Sequence, residues 1–445
     1  MHVSAFLYAA AERGEIPWEL VHAIGREHLA ARCDTCAEGV KAVESGLDEV
    51  RLADLRPPID PLEALRRRRG LSRRQLQDEV KLARHWLRRL LRKVPARKRL
   101  GTVKGAYKYY RGSVFGVLLL EEARAAIPHD PAESLSLAEA ALESCAKTHP
   151  NDPDPQVRVP ALAVKGNALR ALGRLGEAEE ALLEASQLLD ASALDDLALA
   201  AEVHFYLGSL RTDQRRLNQA TRHLERAGWF YGLLGDLEKG AATFLKLGIV
   251  YDWAHEFSDA IAAAERALKL LGPEATGWLA AYAHHNLARY LHGRGDVDRA
   301  EAELDEHREL LEAAGETVRA HVTWLRGRIA WSRGELGTAD RRFREALRWA
   351  RTREDPFDAG LLCLERALVH LAQGRSDRVQ RLAAQAVGFF RRAEEVDRET
   401  RGALELLEAA ARQEALTRKA LEHAVDQLEG AGHRRRCGDP DRSGG

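Results

Sequence analysis

The sequence has little of what secreted or membrane-spanning proteins depend on. Only five cysteines occur among its 445 residues, too few and too unevenly spaced for a disulfide framework. The longest apolar run, residues 114–120, is too short to cross a bilayer, and no positively charged leader followed by an apolar segment opens the chain. These absences predict a cytoplasmic protein without a membrane contact.

Motifs that support catalysis are also missing. The sequence has no glycine-rich loop that would cradle a phosphate, no Gly-x-Ser-x-Gly turn, and no pair of histidines on one helix with a glutamate between them. Histidines such as His284 and His285 offer acid–base groups, but on a repeat helix such residues more often pack or bind a partner. The sequence therefore predicts a binding protein rather than an enzyme.

Strand-rich runs are nearly absent, and Ala, Leu, Glu and Arg dominate, which predicts an all-α chain. One pattern recurs about every forty residues: a small residue, then Ala or Val twelve later, then usually Ala seven beyond. Successive first positions are 42, 40, 40, 39 and 40 residues apart. The three sets of positions are Gly166, Gly208, Gly248, Ala288, Gly327 and Ala367; Ala178, Ala220, Ala260, Ala300, Ala339 and Val379; and Ala185, Ala227, Ala267, His307, Ala346 and Ala386. A period of this length with helical spacing predicts a solenoid.

Each unit is predicted to be two antiparallel helices that approach closely at the small residues, with a glycine such as Gly173 in the turn. Residues 165–182, KGNALRALGRLGEAEEAL, resemble the tetratricopeptide repeat, whose pattern is Leu-Gly-Asn-Ala-Tyr, then Gly-Asp-Tyr, then Glu-Ala. The period of forty exceeds that family's usual thirty-four. The resemblance implies a right-handed superhelical solenoid over residues 116–432, including a degenerate unit at Pro131 and a closing pair after the sixth unit.

In tetratricopeptide arrays the concave face comes mainly from the first helix of each unit, and the resemblance places a set of polar and aromatic residues there. Aromatic and Arg side chains are typical of binding hot spots, and an Arg fork matches a carboxylate. We therefore expect an extended peptide or acidic segment as the partner, although each residue could instead pack between units. The candidates are Asn167, Arg170, Phe205, Asp252, Trp253, His285, Arg289, His292, Trp324, Arg328 and Trp331.

The amino-terminal 46 residues contain a possible metal site. His28, Cys33 and Cys36 lie within nine residues, and a Cys-x-x-Cys turn supplies two thiolates to a tetrahedral zinc ion. His2 is the candidate fourth ligand, with His22 as the alternative. The segment resembles the zinc-binding anti-sigma domain, with one residue more between the histidine and the first cysteine. That resemblance implies a structural zinc; the alternatives are unligated thiols or a redox pair.

The connector, residues 47–115, concentrates positive charge. Residues 65–111 hold 18 Lys and Arg against two acids in a chain of zero net charge. After three prolines, Ser72 and Gln75 form a predicted capping box, and the helix that follows ends before Pro95. Its basic face is Arg73, Arg74, Lys81, Arg84, Arg88 and Arg89, together with Arg92.

Two interpretations of this helix remain open. Residues 65–76 weakly resemble the start of a lambda-repressor-type helix-turn-helix domain, which implies a nucleic-acid contact, but no turn divides residues 75–94 into a separate recognition helix. Alternatively, the helix is solvated on its basic face and docks by its leucine face onto the first repeat or against the acidic solenoid.

The predicted organisation is a zinc-finger-like module (1–46), a connector (47–115), the solenoid (116–432) and a disordered tail (433–445). The predicted function is a protein–protein interaction scaffold or regulatory adaptor that binds a peptide or protein segment on the concave face. The alternative is a nucleic-acid-binding transcriptional regulator that uses residues 65–111, with the repeats as a peptide sensor.

Overall fold

A computed structural model describes residues 60–106, 109–127, 129–146, 154–191, 196–353, 355–392, 421, 424 and 425. The predicted zinc ligands His2, His28, Cys33 and Cys36 and the predicted disordered tail lie outside these described residues. Within the described ranges all regular secondary structure is helical, which confirms the all-α prediction. None of the described helices combines the length and apolar character needed to cross a membrane.

In the described part of the chain, three α-helices and a 3-10 turn precede the repeats. They are α1 (Pro61–Arg68), α2 (Arg73–Lys93), the 3-10 turn (Ala96–Lys98) and α3 (Arg99–Gly105). The repeats then follow as antiparallel pairs, a leading unit and units 1 to 6. The leading unit is α4 (Ser113–Ala126) with α5 (Pro131–Ala146), unit 1 is α6 (Pro155–Ala171) with α7 (Leu175–Ala191), and unit 2 is α8 (Leu197–Asp213) with α9 (Leu217–Leu233). Unit 3 is α10 (Leu237–Trp253) with α11 (Phe257–Leu271), and unit 4 is α12 (Trp278–Arg294) with α13 (Val297–Glu306) and α14 (Arg308–Ala313). Unit 5 is α15 (Glu316–Ser332) with α16 (Leu336–Thr352), and unit 6 is α17 (Pro356–Ala372) with α18 (Ser376–Phe390).

The small residues of the repeat lie where the two helices of a unit come closest. A Cβ added to Gly166 would lie 2.5 Å from Cγ of Leu182, and one added to Gly208 would lie 2.7 Å from Cγ of Leu224. At Gly327 the same atom would lie 2.6 Å from the ring of Phe343. In each case the obstructing side chain is sixteen residues farther along, on the second helix. The predicted solenoid of closely packed helix pairs is therefore confirmed.

The predicted turn glycines also have the backbone conformation expected of them. Gly173 and Gly295 lie between the two helices of units 1 and 4 with φ of 75° and 96°. In units 2 and 3 the same position is Arg215 and His255, with φ of 61° and 58°. Residues other than glycine rarely adopt this left-handed backbone conformation. Arg215 and His255 adopt it nevertheless, so units 2 and 3 have the same tight turn without a glycine.

Helix α2 docks on the solenoid by its leucine face. Its capping box is present, since the Ser72 hydroxyl accepts from the Gln75 amide and the Gln75 side chain accepts from the Ser72 amide. Leu87 and Leu90 are buried in one hydrophobic cluster with Leu118 of the leading unit. Helix α2 is continuous from Arg73 to Lys93 and so covers the end of the array, as capping elements of solenoids do.

Arg99 holds the end of α2 against the leading unit. Its guanidinium donates to the carbonyl oxygens of Leu91 at 3.0 Å and Val94 at 3.1 Å, and also bonds Glu133 on α5. Carbonyls at the end of a helix lack partners within the helix, and a basic side chain can satisfy them. Helix α2 is thus fixed to the solenoid at both its apolar face and its carboxyl end.

The close approach within a unit can be tested with two glycines of unit 1. Gly166→Ala places a methyl group against Leu182, and we expect it to destabilise the protein by about 1–3 kcal/mol because the two helices must separate. Gly176→Ala, on α7 of the same unit, meets no atom within 4 Å and should be neutral or slightly stabilising. The measurement is the midpoint of urea unfolding. Equal midpoints for the two variants would contradict the proposed contact.

Candidate binding surface on the inner face

The first helices of the units form the inner face of the array. From α4 to α15 each first helix contacts the next first helix, whereas each second helix packs against the first helix of its own unit and that of the following unit, and in the described residues it makes no comparable contact with the next second helix. Elements that contact their equivalents directly lie on the side of smaller radius in a curved array. The inner surface is therefore built from α4, α6, α8, α10, α12, α15 and α17.

A cavity of about 510 Å³ opens on this face between α4, α6, α8 and α10. Its walls combine apolar side chains with a few polar groups, a composition and size typical of ligand sites. The apolar lining includes Val117, Leu120, Pro160, Leu199 and Phe205, and the polar lining includes Arg124, Gln156, Asp196, Glu202, Asp236 and Lys239.

An ion pair crosses one end of this cavity. Arg124, in the last turn of α4, donates two hydrogen bonds of 2.7 Å to the two carboxylate oxygens of Glu202 on α8. The hydroxyl of Tyr206 donates to the same carboxylate at 3.0 Å. This pair joins the leading unit to unit 2 and passes over unit 1. It therefore fixes the distance between α4 and α8 at this end of the cavity.

The protonation states follow from burial and charge. Burial alone would raise the pKa of Glu202, but the charge of Arg124 and the hydrogen bonds from Arg124 and Tyr206 lower it overall. Burial and the neighbouring carboxylate both raise the pKa of Tyr206. Glu202 is therefore a carboxylate and Tyr206 a neutral donor at pH 7, and the cavity presents a fixed dipolar group rather than a titrating one.

Three of the predicted arginines form ion pairs between neighbouring first helices. Arg170 bonds Asp213 at 2.7 Å and Arg289 bonds Asp252 at 2.8 Å. Arg328 bonds Glu365, with the nearest nitrogen and oxygen 2.6 Å apart. Asn167 accepts a further hydrogen bond of 2.9 Å from Arg170. These side chains join one unit to the next.

The aromatic and histidine candidates also lie at junctions between units. The guanidinium of Arg215 lies 4.3 Å from the ring centroid of Trp253, and the Trp324 indole donates to Glu365. Nε2 of His292 lies 3.0 Å from the hydroxyl of Ser332. Trp324 and His285 are buried, and Trp331 packs at the edge of the hydrophobic core of units 5 and 6.

Of the eleven predicted partner-binding residues, Phe205 lines this cavity between α4, α6, α8 and α10. Arg124, Glu202 and Tyr206 were not predicted from the sequence. Arg124 belongs to a unit whose repeat pattern is degenerate, and its partner is 78 residues away, so no offset of the repeat indicates the pair.

The six basic residues predicted on α2, Arg73, Arg74, Lys81, Arg84, Arg88 and Arg89, are all exposed. None of the six forms an ion pair with an acid in the part of the chain that the structure describes. Arg89 lies 5.6 Å from the ring centroid of Trp86 on the same helix. The outer face of α2 is therefore a cationic surface at the amino-terminal end of the array.

Unit 2 contains a pair of neighbouring histidines. Nδ1 of His204 on α8 lies 2.9 Å from Nδ1 of His223 on α9, so one ring donates to the other. Burial, together with the proximity of His223, lowers the pKa of His204 to about 3. Burial and the charge of Arg226 lower the pKa of His223 to about 4. Both rings are neutral at pH 7 because protonating either would place a charge in a poorly solvated site.

Comparisons with known proteins find similarity at the level of fold. No protein-family model matches the chain, and no curated protein matches it. Among solved structures, the apo form of RapI aligns with a TM-score of 0.50 at 14% identity, covering 71% of this chain and 97% of that one. A Rap protein complexed with Competence and Sporulation Factor aligns with a TM-score of 0.48 at 16% identity, covering 73% of this chain and 98% of that one.

A tetratricopeptide repeat protein from Parabacteroides merdae aligns with a TM-score of 0.45 at 15% identity, covering 68% of this chain and 99% of that one. At such low identity, the RapI alignment shows that the two chains share a helical repeat fold. The alignment does not show what this chain binds.

The histidine pair predicts a loss of stability in mild acid. Both folded pKa values are below that of an unfolded histidine, so the unfolded chain takes up protons first as the pH falls below about 6.5. The stabilisation is complete above that pH. By pH 5 each histidine removes on the order of 2 kcal/mol from the free energy of unfolding.

Urea unfolding at pH 7.5 and pH 5 measures this effect. The double variant His204→Phe, His223→Ala copies the residues that unit 3 has at these positions, Phe244 and Ala263. It should be less sensitive to pH than the wild type, while the exposed control His129→Ala should behave like the wild type. An unchanged pH dependence in the double variant would show that other groups cause the acid sensitivity.

Proposed function

We propose that this protein is an interaction scaffold that binds a peptide or protein segment on the inner face of its repeats. The observation that supports this proposal is the cavity of about 510 Å³ between the first helices of the leading unit and units 1 to 3. An extended array offers a long surface to a partner, and the cavity gives that surface one deep, partly apolar position.

The chemistry of the cavity favours a segment with an apolar anchor. Val117, Leu120 and Leu199 supply an apolar wall, and Phe205 adds an aromatic ring. The cations of the cavity already have partners: Arg124 bonds Glu202, and the Lys239 ammonium lies 2.9 Å from Asp236. An acidic ligand would have to compete with these carboxylates, so we propose that an apolar side chain enters the cavity while polar groups at its rim meet the peptide backbone.

A bulky side chain inside the cavity tests this proposal. Ala242 lines the cavity and is partly exposed, so Ala242→Trp fills the space without removing a hydrogen bond. Peptides selected from a displayed random library on the full-length protein should bind Ala242→Trp at least about tenfold more weakly, a loss of about 1.4 kcal/mol. Fluorescence titration of the selected peptides measures the affinities.

The matched control is Ala262→Trp, an exposed position on the second helix of unit 3. It adds the same side chain outside the cavity and should leave binding unchanged. Equal affinity of the peptides for the wild type and for Ala242→Trp would remove the cavity as the binding site.

The cationic face of α2 supports a second candidate function, a contact with nucleic acid. Lys81, Arg84, Arg88 and Arg92 succeed one another at spacings of three and four residues, which aligns them along one side of the helix. Since α2 is a single helix docked on the leading unit, this surface would follow a phosphate backbone rather than place a recognition helix in a groove.

Salt-dependent binding to a duplex tests this second function. We expect the full chain to bind a 20-base-pair DNA at low salt, with the logarithm of affinity falling linearly with the logarithm of salt concentration. Arg84→Glu with Arg88→Glu should weaken binding and reduce that slope by about 2. Arg378→Glu with Arg381→Glu, exposed on α18 at the far end of the described array, is the control. Absence of binding at low salt, or equal losses in both variants, would exclude the contact.

A further inference from the structure

Three metal-ligating side chains converge in unit 4. His284 is on α12, Glu303 is on α13, and His307 occupies the break between α13 and α14. One ligand atom from each lies within 4.8 Å of the other two. Nδ1 of His284 is 2.6 Å from a carboxylate oxygen of Glu303, and Nδ1 of His307 is 3.5 Å from the same oxygen. The three side chains are 15, 16 and 26% exposed, so the cluster lies at the surface with His307 outermost.

The cluster is a departure from the repeat. The position of His307 is alanine in the five other units, and each of those alanines is at most 2% exposed. Those residues are Ala185, Ala227, Ala267, Ala346 and Ala386. In unit 4 the second helix is interrupted at this residue, and the imidazole lies beside His284 with the ring centroids 3.5 Å apart. His307, in place of a packing alanine, thus adds a third possible metal ligand to His284 and Glu303, which already share a hydrogen bond.

The residues at the two other positions of the cluster also differ from one repeat unit to the next. At the positions of His284 and Glu303, unit 1 has Leu and Ala, unit 2 has His and His, and unit 3 has Phe and Ala. Unit 5 has Thr and Arg, and unit 6 has Cys and Leu. Among the six repeats, unit 4 is therefore the one with two imidazoles and a carboxylate at these three positions. No contact between repeats requires this combination, since the other units pack without it.

The donor set matches a divalent transition metal. Imidazole and carboxylate bind zinc at about 2.0–2.2 Å, which places neighbouring ligand atoms about 3.3 Å apart in a tetrahedron. Nδ1 of His307, which lies 3.5 Å from the carboxylate oxygen of Glu303, also lies 3.1 Å from the backbone carbonyl oxygen of the same residue, a contact that orients the ring beside the carboxylate. Two histidines disfavour Mg²⁺ and Ca²⁺, which prefer oxygen ligands.

We propose that His284, Glu303 and His307 form a binding site for a divalent transition-metal ion of the zinc type. The three side chains supply three of four ligands, and water at the exposed edge near His307 supplies the fourth. The metal takes the place of the proton in the hydrogen bond between His284 and Glu303, and that proton passes to Nε2 of His284 or to solvent. It joins α12 to the break between α13 and α14, so its binding stabilises unit 4.

Zinc binding to the full-length chain tests the proposal in a Cys33→Ser, Cys36→Ser background, which removes the thiolates of the amino-terminal motif. Equilibrium dialysis should find one Zn²⁺ per chain and no bound Mg²⁺ under the same conditions. His307→Ala restores the residue that the other repeats have, so it should fold normally and bind Zn²⁺ at least tenfold more weakly. Glu303→Gln keeps the side-chain shape and should show a similar loss.

His129→Ala removes an exposed histidine outside the cluster and serves as the control. Thermal unfolding gives an independent readout: Zn²⁺ should raise the Tm of the background protein and of His129→Ala, but not that of His307→Ala. The proposal is overturned if the background protein binds no zinc. It is also overturned if His307→Ala and Glu303→Gln both bind zinc as tightly as the background.

Discussion

The close contact between the two helices of each unit is the constraint on which the rest of the structure depends. A side chain at Gly166, Gly208 or Gly327 would overlap the leucine or phenylalanine sixteen residues farther along. Small residues let the backbones approach, and the apolar faces of each pair are then buried against the next pair, so the array grows by nearest-neighbour packing. The inner face consists of whatever the first helices present once this packing is satisfied. The cavity is one result, because most of its wall comes from four successive first helices, to which Pro61 at the start of α1 and Tyr231 and Leu234 at the end of α9 add.

Electrostatics on the inner face serve cohesion between units. Arg170 with Asp213, Asp252 with Arg289, and Arg328 with Glu365 each join one first helix to the next. Both members of the first pair are under 9% exposed, and such a pair is costly to break because the remaining charge would be buried without its partner. Arg124 and Glu202 follow a different pattern, since they connect units that are not adjacent and leave a cavity beneath them. Ion pairs therefore join successive first helices along the inner face, and the longer bridge between α4 and α8 adds to them at the cavity.

The sequence predicts the features that depend on residues close together in the chain, namely helices, turns and caps. It predicts few of the contacts between units, because these depend on how one unit is rotated against the next. The helix pairs, the turn at Gly173 and the capping box at Ser72 each depend on residues within about twenty positions, and all are present. The tetratricopeptide resemblance also predicts which helices form the inner face. It does not predict that Arg170 meets Asp213, because the pairing of side chains 43 residues apart depends on how one unit is turned against the next. For the same reason the basic helix had two interpretations, and its leucine face alone did not say which surface it would cover.

Departures from a repeat are informative when they converge in space. Units 2 and 4 both have a histidine on the first helix that bonds a residue on the second, at the same two positions. In unit 2 the partner is another histidine, and burial lowers the pKa of both rings, so the pair carries no charge at pH 7, and the third position is the packing alanine Ala227. In unit 4 the partner is a carboxylate, and a third residue, His307, has replaced the alanine that would otherwise fill the space. The carboxylate lies between two imidazoles, and the imidazole nitrogens and the carboxylate oxygen are ligands that zinc accepts. The same scaffold position thus produces a neutral packing pair in one repeat and a cation site in another, and the difference lies in two residues of the second helix.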